Sequence, residues 1–224
     1  MSRSIAIISV HPDDETLGCG GTILKHQAAG DHLHWLVVSR ALAPQWSDEL
    51  KKIKAGEIDA VAHAYGMTYW KQLEFPAAHL DTVAANDLIH AINAFLDSVK
   101  PEVLYLVHGG DVNSDHAAVF SAVTSVVKPF HLQRLGLRRV LCYETLSSTE
   151  AAPPLAHRSF LPVAFSDITP FLERKIEIMG LYASETQGEL MPRGSSAIRA
   201  LARWRGAAIG CEYAEAFMPL REIF

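Results

Sequence analysis

Cysteine is scarce in this chain, and where it does occur it excludes more than it suggests. Cys19, Cys142 and Cys211 stand far apart, make no CxxC spacing, and lie in apolar surroundings such as Val140-Leu141-Cys142-Tyr143. They read as reduced core residues, neither a disulfide framework nor a thiolate metal site. Long apolar runs are missing too: nowhere do about 18 apolar residues follow one another, so no membrane-spanning helix is expected. The first apolar stretch, Ile5 to Val10, is too short for a secretory h-region and runs straight into polar residues, which points to a cytoplasmic protein. Clustered positive charge is also lacking. With 20 Lys and Arg against 25 Asp and Glu, a net charge of -5 and no basic stripe, the chain does not have what recognition of a phosphate backbone needs, and no nucleic-acid partner is expected. Repeats, low-complexity tracts and obvious linkers are absent as well.

What is present is material for a core. The 224 residues are 49% hydrophobic and 20% charged, which suits one globular domain spanning 1–224. Short β-rich apolar runs alternate with longer amphipathic stretches, the pattern of βαβ units in an α/β fold with a mostly parallel sheet flanked by helices. Strands are expected at Ile5 to Val10, Leu33 to Ser39, Met67 to Leu73, Val103 to Val107 and Arg139 to Thr145. Helices are expected at Thr16 to Ala29, from a Ser47 cap to about Tyr65 with Gly66 just beyond, and at Thr82 to Val99, Asp115 to Val127, Thr169 to Tyr182 and Ser195 to Gly206. Gly18, Gly20 and Gly21 fall inside the first presumed helix without GxGxxG spacing, so they read as close-packing positions and not as a dinucleotide cradle.

Ligands of open α/β sheets gather outside the carboxyl ends of strands. Two polar clusters fall there. His11-Pro12-Asp13-Asp14-Glu15 follows the first strand, and His108-Gly109-Gly110-Asp111-Val112-Asn113-Ser114-Asp115-His116 follows the Val103 to Val107 strand. Imidazole and carboxylate together suit a catalytic zinc, which takes three protein ligands and keeps a place open; the same donors also suit iron, manganese or cobalt. Plainer readings exist for single residues. Asp13 or Asp14 can cap the following helix, and Glu15 suits its first turn. His108 is as easily a core histidine as a functional one. Arg40, at a strand end, and Arg193, in the Gly188 to Gly194 loop, are candidates for holding a substrate's phosphate or hydroxyls, and Glu215 is explained by burial against the sheet.

The stretch from His11 to Thr22 resembles the HPDDE motif of the PIG-L/LmbE-like de-N-acetylases, and Asp111 to His116 resembles their second motif. Tyr143 to Thr149, Tyr182 to Glu185 and Gly210 to Phe217 extend the likeness along nearly the whole chain. The resemblance implies a Rossmann-like fold and a zinc-dependent N-deacetylase acting on N-acetylglucosamine-type sugars or conjugates. It makes His11, Asp14 and His116 the metal ligands and Asp13 the general base. Adjacent carboxylates on a turn point in different directions, so one can bind metal while its neighbour reaches water. Many relatives carry a His three residues before the last ligand, where this chain has Asn113. An amide can donate to an oxyanion but cannot shuttle a proton, which leaves Asn113 an electrostatic helper or gives the role to His108. Asp115 reads as the partner that orients a metal-bound His. Deacylation of a non-sugar N-acyl amine, or metal-containing sugar binding without turnover, stays open, as does a homo-oligomer.

Overall fold

Ile5 to Ile8 have no solvent exposure on either face, because helices cover both sides of the strand they form. That strand is an inner strand of a seven-stranded sheet in the computed structural model, which describes residues 2–224. The strands are β1 (Ser4–Ser9), β2 (His32–Arg40), β3 (Tyr69–Pro76), β4 (Val103–Val107), β5 (Arg139–Tyr143), β6 (Ala164–Asp167) and β7 (Ala214–Glu222). The helices are α1 (Asp14–Ala28), α2 (Asp48–Ala64), α3 (Ala85–Val99), α4 (Ser114–Val126), α5 (Pro129–Leu135), α6 (Leu172–Met179) and α7 (Ser195–Ala207). Strand order is β3-β2-β1-β4-β5-β7-β6, with β1 to β5 parallel and β7 antiparallel to both of its neighbours, β5 and the edge strand β6. The order reverses direction between β1 and β4, so the ends of those two strands open the crevice in which such sheets bind ligands. Both polar clusters are at that point. No helix among the described residues is long and apolar enough to cross a membrane.

Several boundaries follow from local chemistry. Ser47 accepts a hydrogen bond from the Leu50 amide at 3.2 Å and starts α2, while Gly66, at φ 62°, ends the turn beyond it. The expected Thr82 to Val99 helix is shorter at its front: Leu80 to Thr82 form a 3-10 turn, Val83 is extended, and α3 begins at Ala85. The Thr169 to Tyr182 helix likewise divides into a 3-10 turn and α6. Cys19 and Cys142 are buried, but Cys211 is partly exposed and is not a core residue.

Close packing fixes α1. A Cβ at Gly18 would fall inside the Tyr143 ring, and one at Gly21 would overlap the Ile168 side chain at 2.8 Å. The helix is also broken: Cys19 has φ -140° and ψ 18°. Two buried charges repair the break. Lys175 donates to the freed Leu17 carbonyl at 2.9 Å, and Glu215 accepts from the Gly21 and Thr22 amides at 2.8 and 2.7 Å, while the two side chains bond each other at 2.7 Å.

Candidate metal centre and its cavity

Strand β1 ends at Ser9, and the chain turns into α1 through Asp13, held in the left-handed region at φ 105°. A non-glycine residue there carries backbone strain, which is commonly kept where geometry matters to function. The turn brings the Asp14 carboxylate back over the strand end, where one oxygen accepts from the Val10 and His11 amides at 2.9 and 2.8 Å. Its other oxygen faces His116 Nε2 at 3.4 Å.

Each histidine is aimed by a carboxylate. His116 donates from Nδ1 to Asp111 at 2.6 Å, and the same carboxylate accepts the Asn113 amide at 2.9 Å. His11 donates from Nε2 to Asp115 at 3.1 Å, and Asp115 is fixed by the Ala78 and Leu80 amides at 2.6 and 3.0 Å. With its outer nitrogen occupied, each ring presents the other one inward. Donor atoms from His11, Asp14 and His116 lie within 4.8 Å of one another, and His116 Nε2 is buried without a hydrogen-bond partner. Two imidazole nitrogens and one carboxylate oxygen, each aimed by outer hydrogen bonds, fit a divalent cation.

The electrostatics agree. Burial alone would raise the Asp14 carboxyl, but His116 and His11 beside it hold it down to about 2. Burial opposes a charged His116, yet Asp14 and Asp111 push it up to about 10, so the centre draws positive charge between these groups. Burial, with Asp14 and Glu185 nearby, raises Asp13 well above the usual carboxylate range, against the pull of Arg193. Glu15 is pushed up to about 7 by burial and accepts the Tyr182 hydroxyl at 2.7 Å.

His11, Asp13, Asp14 and His116 floor a cavity of about 480 Å3, within the range of small-molecule sites. Asn113 lines it and caps α4, its side-chain oxygen accepting from the Asp115 amide at 3.0 Å. That bond occupies the acceptor and leaves the Nδ2 hydrogens to donate. Arg40 lines the cavity where β2 ends. Arg193 lines it too, but is engaged by the protein: it donates to Asp13 at 3.0 Å and to Glu185 at 2.7 Å, and Lys54 pairs with Glu185 from the other side. His108 is outside the lining, and this corrects the expectation that it serves in the site. Its Nε2 faces the Arg158 carbonyl at 2.9 Å and its ring packs edge-on to Phe160.

Sequence reasoning did not assign roles to Asp111, Lys54, Glu185 or Thr145. Asp111 had a local signal, since it stands five residues before His116 in the same cluster. Lys54 and Glu185 meet only through the fold. Glu215 caps the broken helix and does not face the cavity.

The sequence profile of the family described as GlcNAc-PI de-N-acetylase, PIG-L, matches residues 6–127, which include both polar clusters. A curated relative from Geodermatophilus obscurus, a 1D-myo-inositol 2-acetamido-2-deoxy-alpha-D-glucopyranoside deacetylase, is 28% identical over 169 residues, 60% of this chain and 58% of its own. This chain therefore spans somewhat over half the length of that relative. Among solved structures, N,N'-diacetylchitobiose deacetylase from Pyrococcus horikoshii superposes with a TM-score of 0.76 at 19% identity, covering 98% of this chain and 84% of that one. GalB, the 4-carboxy-2-hydroxymuconate hydratase from Pseudomonas putida KT2440, gives 0.73 at 18% identity, covering 99% and 98%. At such identities the likeness is one of fold, and the second case is a hydratase, so the site must decide the reaction.

Proposed function

Since the chain belongs to the GlcNAc-PI de-N-acetylase family, PIG-L, we propose that it is a metal-dependent amide hydrolase that removes the acetyl group from an N-acetylglucosamine-type sugar or sugar conjugate. The observation that carries the reading is the placement of Asp13 on the floor of the cavity next to the inward-facing donors of His11, Asp14 and His116. Zinc suits these donors best, with other divalent ions as alternatives. An ion held there supplies Lewis acidity to an acyl oxygen and acidifies water.

The chain's own groups do the rest. Asp13 takes a proton from the attacking water and returns it to the departing nitrogen as the C–N bond breaks, so amide and water become acetate and free amine. Burial and nearby carboxylates raise Asp13, which suits a group that must both accept and release a proton. Arg193 grips one oxygen of Asp13 and leaves the other for the water. Asn113 Nδ2 donates to the oxyanion of the tetrahedral intermediate. The carboxylate of Asp13 beside the inward-facing donors favours turnover over mere binding, because binding alone needs no base there.

Asp13→Asn tests the reading. It keeps the side chain's shape, and acetate release should fall by about 10²- to 10⁴-fold, the usual worth of a positioned base, while bound metal stays near the wild-type content. Activity within a few-fold of wild type would remove Asp13 from the role.

A further inference from the structure

One nitrogen of Arg193 serves two carboxylates. Its Nη1 donates to Asp13 Oδ2 at 3.0 Å and to Glu185 Oε2 at 2.7 Å, while its Nε is buried and bonds nothing. A guanidinium more often offers two parallel N–H groups to both oxygens of one carboxylate, as a fork. A fork on Asp13 would occupy both of the oxygens from which a base works. Here the shorter contact is the one to Glu185, so the arginine is drawn aside and Asp13 gives it one oxygen only.

Glu185 can hold Arg193 because Glu185 is itself held. Its other oxygen, Oε1, accepts from Lys54 on α2. The turn that carries it is pinned at two points. The Tyr182 hydroxyl donates to Glu15 of α1 at 2.7 Å, and the Ser184 amide and hydroxyl donate to Glu57 of α2 at 2.7 and 2.6 Å. The Glu185 and Thr186 amides close the turn on the Tyr182 carbonyl at 2.9 and 2.8 Å. Arg193, by contrast, stands in the loop just before Gly194, which caps α7. Cations and carboxylates thus alternate in one row, Lys54, Glu185, Arg193 and Asp13, and none of the four side chains is more than 23% exposed. Charges sheltered to this degree are screened far less than exposed ones.

We propose that Glu185, braced by Lys54, is a positioning residue that keeps Arg193 from closing on Asp13 as a fork, and so leaves one oxygen of the base free for water. The inference rests on the reading of Asp13 as the base, and it gives Glu185 no part in the reaction except through Arg193.

A double-mutant cycle on acetate release from an N-acetylglucosamine glycoside, with metal-loaded protein, tests it. Glu185→Ala should lower kcat by about 10- to 100-fold, the cost of a misplaced catalytic group, and leave KM within about threefold, because binding is not what it disturbs. Lys54→Met, which removes only the brace, should lower kcat in the same sense by a smaller factor. Arg193→Ala should cost less than Glu185→Ala, since it loosens Asp13 without blocking it. The double variant should match Arg193→Ala alone, so that removing the arginine recovers kcat lost to Glu185→Ala; groups that act through one another fail to add in this way. Losses that multiply, or a kcat in Glu185→Ala equal to that of the wild type, would overturn the positioning role. The carboxyl 13C resonance of Asp13, identified by its loss in Asp13→Asn, reads the same contact without turnover. It should move in Glu185→Ala and lie near its Arg193→Ala position in the double variant; a resonance unmoved in Glu185→Ala would also overturn the proposal. Wild-type protein that releases no acetate, with the resonance moving as stated, would sink the deacetylase reading and keep the control of Arg193 by Glu185.

Discussion

Asp111 and Asn113 show how much of the site's precision is held one layer away from the proposed ligands. The Asp111 carboxylate fixes both the tautomer and the direction of His116, so Asp111→Asn should weaken metal binding by about 10- to 100-fold, the usual effect of losing such a partner; competition with a chromogenic chelator measures it, and unchanged affinity would show that His116 needs no orienting. Asn113 does two things that substitution can separate. Asn113→Asp keeps the acceptor that caps α4 and removes the Nδ2 donor, so stability should hold while kcat falls. Asn113→Ala should lose activity and also about 1 kcal/mol of stability, the typical worth of such a cap. Equal activity in Asn113→Asp and wild type would exclude an oxyanion contact. At this scale the sequence spoke clearly wherever residues act within a few positions of one another, as His11 and Asp14 do in the first polar cluster. It was silent wherever distant segments meet. Nothing local ties Arg193 to Asp13 across 180 residues, and an arginine in a loop reads as a substrate contact until its partners are known. His108 misled for the converse reason, since a histidine at a strand end looks the same whether it faces a cavity or a carbonyl.

Helix α1 must satisfy two demands at once, because its start holds Asp13 at the cap and Asp14 in the first turn while its body packs against Tyr143 and Ile168 through glycines. The break at Cys19 reconciles them, and the buried Lys175–Glu215 pair serves the backbone groups that the break sets free. Lys175→Met would leave Glu215 charged and uncompensated in the interior, at a cost of about 3–5 kcal/mol in a urea denaturation series. A loss below about 1 kcal/mol, as for surface pairs, would mean that the pair is dispensable to the helix. The parallel strands and their helices were legible because continuous apolar runs and capping residues signal them directly. The antiparallel edge was not. Strand β7 contains Pro219, which argues against a strand, and it is tolerated because Pro219 pairs Leu141 beside a register shift in β5. Strand β6 has only four residues, none of them buried, and α5 only seven, too few for a period to show.

The whole molecule places its chemistry by topology. Reversal of strand order between β1 and β4 leaves one crevice, and the sequence supplies a cluster of donors at the end of each strand that borders it. Because the three proposed ligands come from two separate βα units, a bound ion cross-links them only in the folded state. Metal at about 1,000 times its dissociation constant should therefore stabilise the chain by about 4 kcal/mol, visible as a melting temperature that falls when chelator is added. A melting curve indifferent to chelator would place any bound metal elsewhere. The most direct test of the central claim is metal content measured together with acetate release from N-acetylglucosamine conjugates. The account predicts one divalent ion per chain, release that chelator abolishes, and release that added metal restores; purified protein that binds no metal, or release that chelator leaves untouched, would contradict it.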